Sequence, residues 1–259
     1  LDPKLKIVAP LRYWELSSRE SEIEYAEKKN LPIKLTKEKI YSIDQNIWGI
    51  AVECGALEDL ANATPDDSYV MCNRIEDTPD EAEYISIEFV KGVPVALNGK
   101  KMSFLDITEE LNEIAGKHGI GRTDMIEDRI VGIKSREIYE APAGWTLVQA
   151  HKDLESIVLD RETLAFKEIV ALKYSQMLYQ GLWYTRLRES LAAFVDKTQE
   201  KVTGIVTMKM YKGNLIVTAR ETPYSMYRMS MATYGDEDEY VRENAEAFID
   251  LFAMPFLEK

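Results

Sequence analysis

The stretch from Glu127 to Glu140 carries the side chains best suited to binding a small zwitterion. A carboxylate such as that of Glu127 can hold an ammonium group, and hydroxyls such as those of Ser135 and Tyr139 can bind carboxylate or carbonyl oxygens. The apolar run at 130–133 predicts a short strand with charged ends. Two interpretations follow: an amino-acid pocket, or the solvated, ion-paired end of a strand. The residue types alone favour the second, because charge runs usually face water.

Other candidate chemistry in the sequence is weaker. The glycines of segment 116–122 follow a predicted helix, whereas phosphate-binding loops place them before one, so a glycine C-cap and turn is the better interpretation. His118 and His151 have no companion at a metal-binding spacing, and we expect no catalytic zinc site. No Gly-x-Ser-x-Gly motif is present, so no nucleophilic triad is predicted.

The composition is that of a folded, acidic protein. The chain has 259 residues, of which 46% are hydrophobic and 30% charged, with a formal net charge of -13. This charge opposes binding to nucleic acid and to anionic membranes, so small molecules and proteins are the expected partners. No apolar stretch reaches the ~18 residues of a membrane span. Cys54 and Cys72 predict neither a disulfide framework nor a zinc knuckle, and we expect a cytoplasmic location.

The hydrophobic pattern predicts the elements that must position these residues. In the first half it predicts a strand at 6–10, a helix from the capping box Ser17-x-x-Glu20 to Lys29, turns at 32–44, a buried strand at 47–52, a surface excursion at 58–83, a β-hairpin at 85–97 turning at Lys91-Gly92, a turn at Asn98-Gly99, a helix at 106–117 and a strand at 125–133. In the second half it predicts three helices between 145 and 201 with breaks at Asp160 and Gly181, a hairpin at 205–219 turning at Lys212-Gly213-Asn214, and a helix at 239–254. Because strands and helices come in clusters, we predict an α+β fold with helices packed on a mixed or antiparallel sheet.

A long motif then suggests a family. It is Gly119-Ile120-Gly121-Arg122-x-Asp124-x-x-Glu127-x-Arg129-x-x-Gly132-x-Lys134-Ser135-Arg136-x-x-Tyr139-Glu140-x-Pro142-x-Gly144. Further matches, in the same order along the chain, include Tyr41-Ser42-Ile43-Asp44-x-Asn46, Leu111 to His118, Gly181-Leu182-Trp183 and Tyr211 to Asn214. Nearly the whole chain thereby resembles the carboxy-terminal part of argininosuccinate synthases.

The resemblance implies a reaction. Members of that family join citrulline and aspartate in an ATP- and Mg-dependent ligation that forms argininosuccinate, AMP and pyrophosphate. By the same resemblance, Ser42, Glu127 and Tyr139 match citrulline-binding positions. A second serine of the family falls on Ala51, and the loss of one hydrogen bond to a charged group costs about 1.5–3 kcal/mol, or one to two decades in affinity.

The resemblance also implies what this chain lacks. Family members begin with a nucleotide-binding domain that carries a Ser-Gly-Gly-x-Asp-Ser/Thr loop, and no such loop occurs here. The first residue is Leu1 and not methionine, so we expect a processed or excised segment. ATP with Mg is then expected to bind mainly to the absent domain, and we predict that this chain alone does not make argininosuccinate.

The same resemblance predicts the organisation of the chain. Residues 1–235 would form the citrulline-binding synthetase domain, and residues 236–259 a carboxy-terminal helix that reaches neighbouring subunits of a homotetramer. Apolar positions such as Val241, Phe248 and Phe252 fit that role, or equally a helix docked on its own domain. Two alternatives to the enzyme fragment remain open: a standalone amino-acid-binding module, and a purely structural assembly domain.

Overall fold

The fold, taken from a computed structural model, combines two antiparallel sheets with a layer of helices. The structure describes residues 2–32, 41–233, 235 and 239–257. The described strands are β1 (Ser42–Gln45), β2 (Ile50–Glu53), β3 (Glu83–Val90), β4 (Val93–Leu97), β5 (Lys100–Lys101), β6 (Arg122–Asp128), β7 (Lys134–Glu140), β8 (Gly204–Tyr211) and β9 (Asn214–Glu221). The described α-helices are α1 (Arg19–Lys28), α2 (Phe104–Lys117), α3 (Pro142–Val158), α4 (Arg161–Tyr179), α5 (Arg186–Gln199), α6 (Met229–Ala232) and α7 (Glu243–Ala253).

The larger sheet has the order β5-β4-β3-β8-β9 and carries the main core. Alternate residues of β3 and β8 are fully buried, as period-two patterning requires when one face packs against helices. Ile87 of β3 and Leu111 of α2 belong to one apolar cluster, which also includes Leu154 of α3. The helices α2 and α3 therefore cover one face of this sheet.

The smaller sheet has the order β1-β2-β7-β6, and all its neighbours are antiparallel. Its apolar cluster is small, with Ile50, Val52, Leu57 and Ile138 as the buried members. β7 continues through Ala141 into α3, so the smaller sheet is joined directly to a helix that covers the larger sheet. The cleft described below lies on the face of this sheet opposite its buried cluster.

A buried polar network holds α3, α4 and α5 together. The side-chain amide of Gln199 donates to Glu155 Oε1 at 2.6 Å, and Lys167 Nζ forms an ion pair with the same carboxylate at 3.0 Å. Glu155 is only 4% exposed, so these bonds compensate a carboxylate that has lost its water. None of the described helices combines the length and apolar character that a membrane span requires.

Most predicted elements are confirmed. The α+β class is correct, with two antiparallel sheets in place of one, and both predicted hairpins turn where expected: Lys91-Gly92 and Lys212-Gly213 have positive φ angles. The three successive helices are present, and Asp160 is the N-cap of α4. Gly119 follows the C-cap of α2 with φ +70, so segment 116–122 ends a helix as predicted.

Three predicted segments are wrong in detail. Residues 6–10 form no strand, since their backbone leads into a short 3-10 helix at Pro10–Arg12. The capping box of α1 uses Ser18 and Ser21, because Ser18 is the N-cap. Residues 125–133 contain the end of β6 followed by a turn, and the apolar run at 130–133 is that turn.

The remaining boundaries shift by a few residues. The strand predicted at 47–52 begins at Ile50, and the final helix begins at Glu243. Of the turns predicted at 32–44, Ser42 and the two residues after it lie in a strand, and residues 33–40 lie outside the described residues. Between 54 and 82 the chain forms only short 3-10 turns among the described elements, which confirms the surface excursion. The division at 235/236 remains a prediction.

Candidate functional site

The strand register of the smaller sheet places a set of polar residues on one face. Ala51 of β2 pairs with Asp44 of β1 on one side and with Tyr139 of β7 on the other. Glu127 of β6 pairs with Ser135 of β7. Because partners across a sheet, and alternate residues along a strand, point to the same side, these residues share what we call the polar face. Its members are Ser42, Asp44, Ala51, Glu53, Thr123, Met125, Glu127, Ser135, Glu137 and Tyr139.

Glu127 and Tyr139 meet directly on the polar face. The Tyr139 hydroxyl donates a hydrogen bond of 2.6 Å to Glu127 Oε2. Burial of the phenol raises the pKa of Tyr139 well above its ordinary value, and the neighbouring Glu127 carboxylate raises it further. Tyr139 therefore remains a neutral hydrogen-bond donor throughout the physiological pH range.

These two residues line an open cleft of about 490 Å³ over the polar face. Its floor is formed by β1, β2, β6 and β7, and its rim by the turn between β6 and β7 and by the end of α4. The lining residues are Asp44, Ala51, Glu53, Glu127, Arg129, Ile130, Val131, Glu137, Tyr139 and Tyr179. Sequence reasoning had placed Glu127 and Tyr139 in one site, and the structure brings them together.

Ser42, the third predicted residue, shares the face but does not line this cleft. It pairs with Glu53 at the outer edge of the sheet, and its hydroxyl is directed to Cys54 Sγ at 3.7 Å. Ala51 occupies the position between Asp44 and Tyr139, where its methyl group offers no hydrogen bond. Asp44, Ala51 and Tyr139 thus lie side by side across the cleft floor. The outer two carry polar side chains, and Ala51 between them offers no hydrogen-bonding group.

Three of the charged lining residues form an ion cluster. The Arg129 guanidinium binds the carboxylates of both Glu53 and Glu137, the latter at 3.2 Å. Ser135 Oγ donates to Glu137 at 3.0 Å and accepts from Arg129 Nε at 3.1 Å. Burial raises the pKa of Glu137 despite the hydrogen bond from Ser135, and the adjacent Glu53 raises it as well. Arg129 therefore compensates two carboxylates that would otherwise repel each other.

The charge balance of the cleft favours a ligand with a positive group. Four carboxylates line it, those of Asp44, Glu53, Glu127 and Glu137, against the single guanidinium of Arg129 among the described lining residues. Carboxylates at this density attract an ammonium group and repel phosphate. The cleft is suited to the ammonium end of an amino acid and is a poor site for the phosphates of a nucleotide.

The opposite face of the sheet holds β7 in place. The Glu140 carboxylate is fully buried and accepts hydrogen bonds from three successive backbone amides, those of Val70 (2.6 Å), Met71 (3.0 Å) and Cys72 (2.8 Å). Because Glu140 directly follows Tyr139, this clamp fixes the end of β7 that carries the cleft tyrosine. The surface excursion is thereby attached to the site-bearing strand.

A second attachment lies on the same side. Arg136 donates to both carboxylate oxygens of Asp124, at 3.0 and 2.6 Å. Its remaining nitrogen, Nη1, donates to the carbonyl oxygens of both Asp59 and Asn62. This hydrogen bonding lowers the pKa of the Asp124 carboxyl, since it stabilises the charged form. The β6–β7 hairpin is therefore pinned to segment 59–62.

Sequence reasoning missed Glu53, Glu137 and Tyr179. The first two could have been found from period-two spacing, since Glu137 lies two residues before Tyr139 and thus on the same face. Glu53 requires the pairing of β2 with β7, which are far apart in sequence. Tyr179 reaches the cleft from α4, and no local signal predicts that contact.

Comparison with known proteins places this chain in a family. Residues 41–258 match the model of the arginosuccinate synthase C-terminal domain. The chain is 52% identical to the argininosuccinate synthase of Carboxydothermus hydrogenoformans over 255 residues, covering 98% of this chain and 64% of that protein. It is 51% identical to the enzyme of Caldanaerobacter subterraneus, covering 98% and 62%, and 49% identical to that of Staphylococcus saprophyticus, covering 98% and 63%.

The chain thus spans a little under two thirds of the length of these relatives. The matched family model covers most of the chain, including every strand of both sheets. This chain therefore belongs to the argininosuccinate synthase family, within which it matches the C-terminal domain.

Proposed function

We propose that this chain supplies the citrulline-binding part of an argininosuccinate synthase, the ligase that joins citrulline to aspartate at the expense of ATP. The observation that carries the proposal is the convergence of Glu127 and Tyr139 in one acidic cleft, where the Tyr139 hydroxyl lies 2.6 Å from Glu127 Oε2. In this assignment Glu127 holds the ammonium group of citrulline, and Tyr139 donates to a citrulline oxygen or keeps Glu127 oriented. Ser42 extends the site along the polar face toward β1.

Positioning is the chemistry that these residues contribute. A bound amino acid whose ammonium is fixed at Glu127 has its side chain constrained to leave the cleft in one direction. The Arg129 cluster keeps Glu53 and Glu137 compensated, so that they do not compete with Glu127 for the ammonium group. The described residues would therefore orient citrulline for attack on a second substrate held elsewhere.

The described residues do not fit ATP with Mg. The glycines of segment 116–122 lie at the end of α2, where carbonyl groups and not amides are exposed. The acidic cleft repels phosphate, as argued above. We therefore assign no step of nucleotide chemistry to this chain, and we expect no pyrophosphate release when it is supplied alone with ATP, citrulline and aspartate.

Titration with citrulline, followed by the ring resonances of labelled tyrosines, tests the citrulline assignment. The wild-type chain should show saturable shifts of the Tyr139 and Tyr179 rings at millimolar citrulline, and the Tyr179 ring reports binding in Tyr139→Phe. Glu127→Gln should weaken binding about ten- to hundredfold, since it removes a charged partner. Tyr139→Phe should weaken it about tenfold.

Glu81→Gln and Tyr84→Phe are matched controls, because both residues lie outside the cleft on or before β3. Both should bind citrulline as the wild type does. Absence of saturable shifts in the wild type, or equal affinity in the Glu127 and Tyr139 variants, would refute the citrulline assignment.

A second proposed role is assembly into a homotetramer. Its support is α7, none of whose residues is buried although Phe248 and Phe252 are large, apolar and stacked at 5.5 Å. Such an exposed apolar face favours contact with another subunit. Light scattering should give an oligomer for the wild type and a smaller species for Phe248→Asp. A monomer mass for the wild type at micromolar concentration would contradict this role.

We also propose a cytoplasmic location. The support is the family resemblance together with two free thiols, Cys54 and Cys72, which persist in reducing compartments.

A further inference from the structure

Tyr179 is placed to contact whatever fills the cleft. It is the last residue of α4, an element outside the smaller sheet, yet its side chain lines the same cleft as Glu127 and Tyr139. Its hydroxyl lies 3.4 Å from the carbonyl oxygen of Asp128, at the end of β6. Tyr179 is 56% exposed, so a ligand in the cleft can reach it.

The hydrogen-bond donors of the cleft are scarce, and most are already used. Among the described lining side chains, the donors are Arg129, Tyr139 and Tyr179. Arg129 is bound to Glu53, Glu137 and Ser135. The single proton of the Tyr139 hydroxyl is directed to Glu127 at 2.6 Å.

Of these three donors, Tyr179 makes the weakest hydrogen bond within the protein. An O–H···O hydrogen bond usually measures about 2.5–3.0 Å, whereas the Tyr179 hydroxyl is 3.4 Å from its acceptor. A small rotation of this hydroxyl toward the cleft would therefore lose only a weak hydrogen bond. Of the three donors, it is the one that a ligand oxygen can recruit at the lowest cost.

The expected ligand requires such a donor. An amino acid such as citrulline brings a carboxylate and a ureido oxygen as well as its ammonium group, and carboxylates on the protein can bind only the last of these. We propose that Tyr179 is a ligand-binding residue, whose hydroxyl donates a hydrogen bond to one oxygen of the amino acid in the cleft. This inference rests on the citrulline-binding function proposed above.

The proposal has a structural consequence for α4. This helix is tied to α3 by the buried ion pair of Lys167 with Glu155, while its last residue lines the cleft. A bound ligand would therefore bridge the smaller sheet and the helical layer. Ligand binding should reduce the mobility of the turn after Tyr179, which connects α4 to α5.

The test compares Tyr179→Phe with Tyr184→Phe by citrulline titration. Tyr184 lies in the same α4–α5 connection, is 73% exposed and is not part of the cleft lining. Tyr179→Phe removes the hydroxyl alone, so the fold should be retained and affinity should fall about tenfold. Tyr184→Phe should bind citrulline as the wild type does.

A series of three ligands separates direct contact from a structural effect. Citrulline is compared with ornithine, which lacks the ureido group, and with carbamoyl-putrescine, which lacks the α-carboxylate. If Tyr179 binds one ligand oxygen, the analogue that lacks that oxygen should bind wild type and Tyr179→Phe equally. Equal loss with all three ligands, or no loss with citrulline, would overturn the inference.

Failure of this inference can be told apart from failure of the proposed function. Loss of binding in Glu127→Gln and Tyr139→Phe, together with unchanged binding in Tyr179→Phe, removes Tyr179 alone from the site. Unchanged binding in the first two variants refutes the citrulline assignment itself.

Discussion

The two sheets of this molecule are stabilised in different ways. The five-stranded sheet packs Ile87, Phe89 and their neighbours against α2 and α3 in one large apolar cluster. The four-stranded sheet has a small apolar cluster and relies instead on directed polar bonds, chiefly from Glu140 and Arg136. The first uses burial, which is not directional, and the second uses hydrogen bonds with fixed geometry.

This difference explains why the cleft lies where it does. Apolar burial would require a face of the sheet to be covered, whereas the bonds of Glu140 and Arg136 hold β6 and β7 from one side only. The other side remains open to solvent and carries the polar face. The larger sheet thus serves as scaffold, and the smaller sheet exposes a site at the cost of a smaller core.

Truncation in the scaffold should have the largest effect on stability. Leu111→Ala removes a fully buried side chain from α2 and should lower the free energy of unfolding by about 2–5 kcal/mol. Since α2 does not line the cleft, citrulline affinity of the folded chain should be unchanged. Urea unfolding measures the first quantity and titration the second.

Leu187→Ala serves as the control, because Leu187 is about half exposed on α5. Its expected change is within about 0.5 kcal/mol. A similarly small effect for Leu111→Ala would mean that the core of the larger sheet does not dominate stability.

Removal of one charge in the smaller sheet should have an intermediate effect on stability, and it should also affect ligand binding. Glu140→Gln leaves one carbonyl oxygen and an NH2 group where three backbone amides need acceptors. We expect a loss of about 1.5–3 kcal/mol in the free energy of unfolding. Unlike Leu111→Ala, this variant should also weaken citrulline binding, because β7 carries Tyr139 next to the clamp.

Urea unfolding and citrulline titration of Glu140→Gln should be compared with those of Glu168→Gln, an exposed residue of α4. The Glu168 variant should match the wild type in both. Loss of stability without loss of affinity would show that the clamp does not position the cleft.

The scaffold was predictable from sequence because its signals are local. Alternation in β3 and β4 surrounds Lys91-Gly92, whose positive φ angles suit a tight hairpin turn. The helical spacing of α2 ends at Gly119, and Asp160 caps α4. Each of these features is contained within a few residues, so the sequence determines them without knowledge of distant contacts.

The smaller sheet was harder to predict because its strands do not have the usual apolar pattern. The run at 130–133 is the most apolar part of its hairpin, yet it is the turn, with Gly132 at φ +84. The strands on either side carry charged residues, and ion pairs between them, such as that of Lys134 with Asp128, join the two strands. A rule that equates apolar runs with strands fails where polar bonds hold the sheet.

The site was predictable only in part for the same reason. Glu127 and Tyr139 were found through a family resemblance. The β6–β7 pairing places them on one face, where their side chains meet in a hydrogen bond. Glu53 and Tyr179 come from β2 and α4, and the contacts that bring them to the cleft are long-range. Nothing in the local sequence of either residue encodes those contacts.

The smallest expected effect is a change of stability with pH, which should have opposite signs for carboxyl groups on the two faces of the smaller sheet. Burial raises the pKa of Glu137 on the polar face above its ordinary value of 4.5, whereas the hydrogen bonds of Arg136 lower that of Asp124 below 3.8 on the other face. A raised carboxyl pKa means that the unfolded chain gives up its proton first, so Glu137 reduces stability as the pH rises above 4.5. A lowered pKa has the opposite sign: the stability from Asp124 is present above 3.8 and is lost as the pH falls through the folded value.

Urea unfolding of Glu137→Gln and Asp124→Asn between about pH 3 and pH 7 should therefore give opposite trends relative to wild type. Relative to wild type, the free energy of unfolding of Glu137→Gln should be higher at neutral than at acidic pH. That of Asp124→Asn, relative to wild type, should be lower at neutral than at acidic pH. Because both groups are paired with partly exposed partners or lie near the surface, each difference should stay below about 1 kcal/mol. Parallel trends would mean that the two faces carry their charges in the same electrostatic environment, and the division of this sheet into an open polar face and a pinned opposite face would then lose its electrostatic basis.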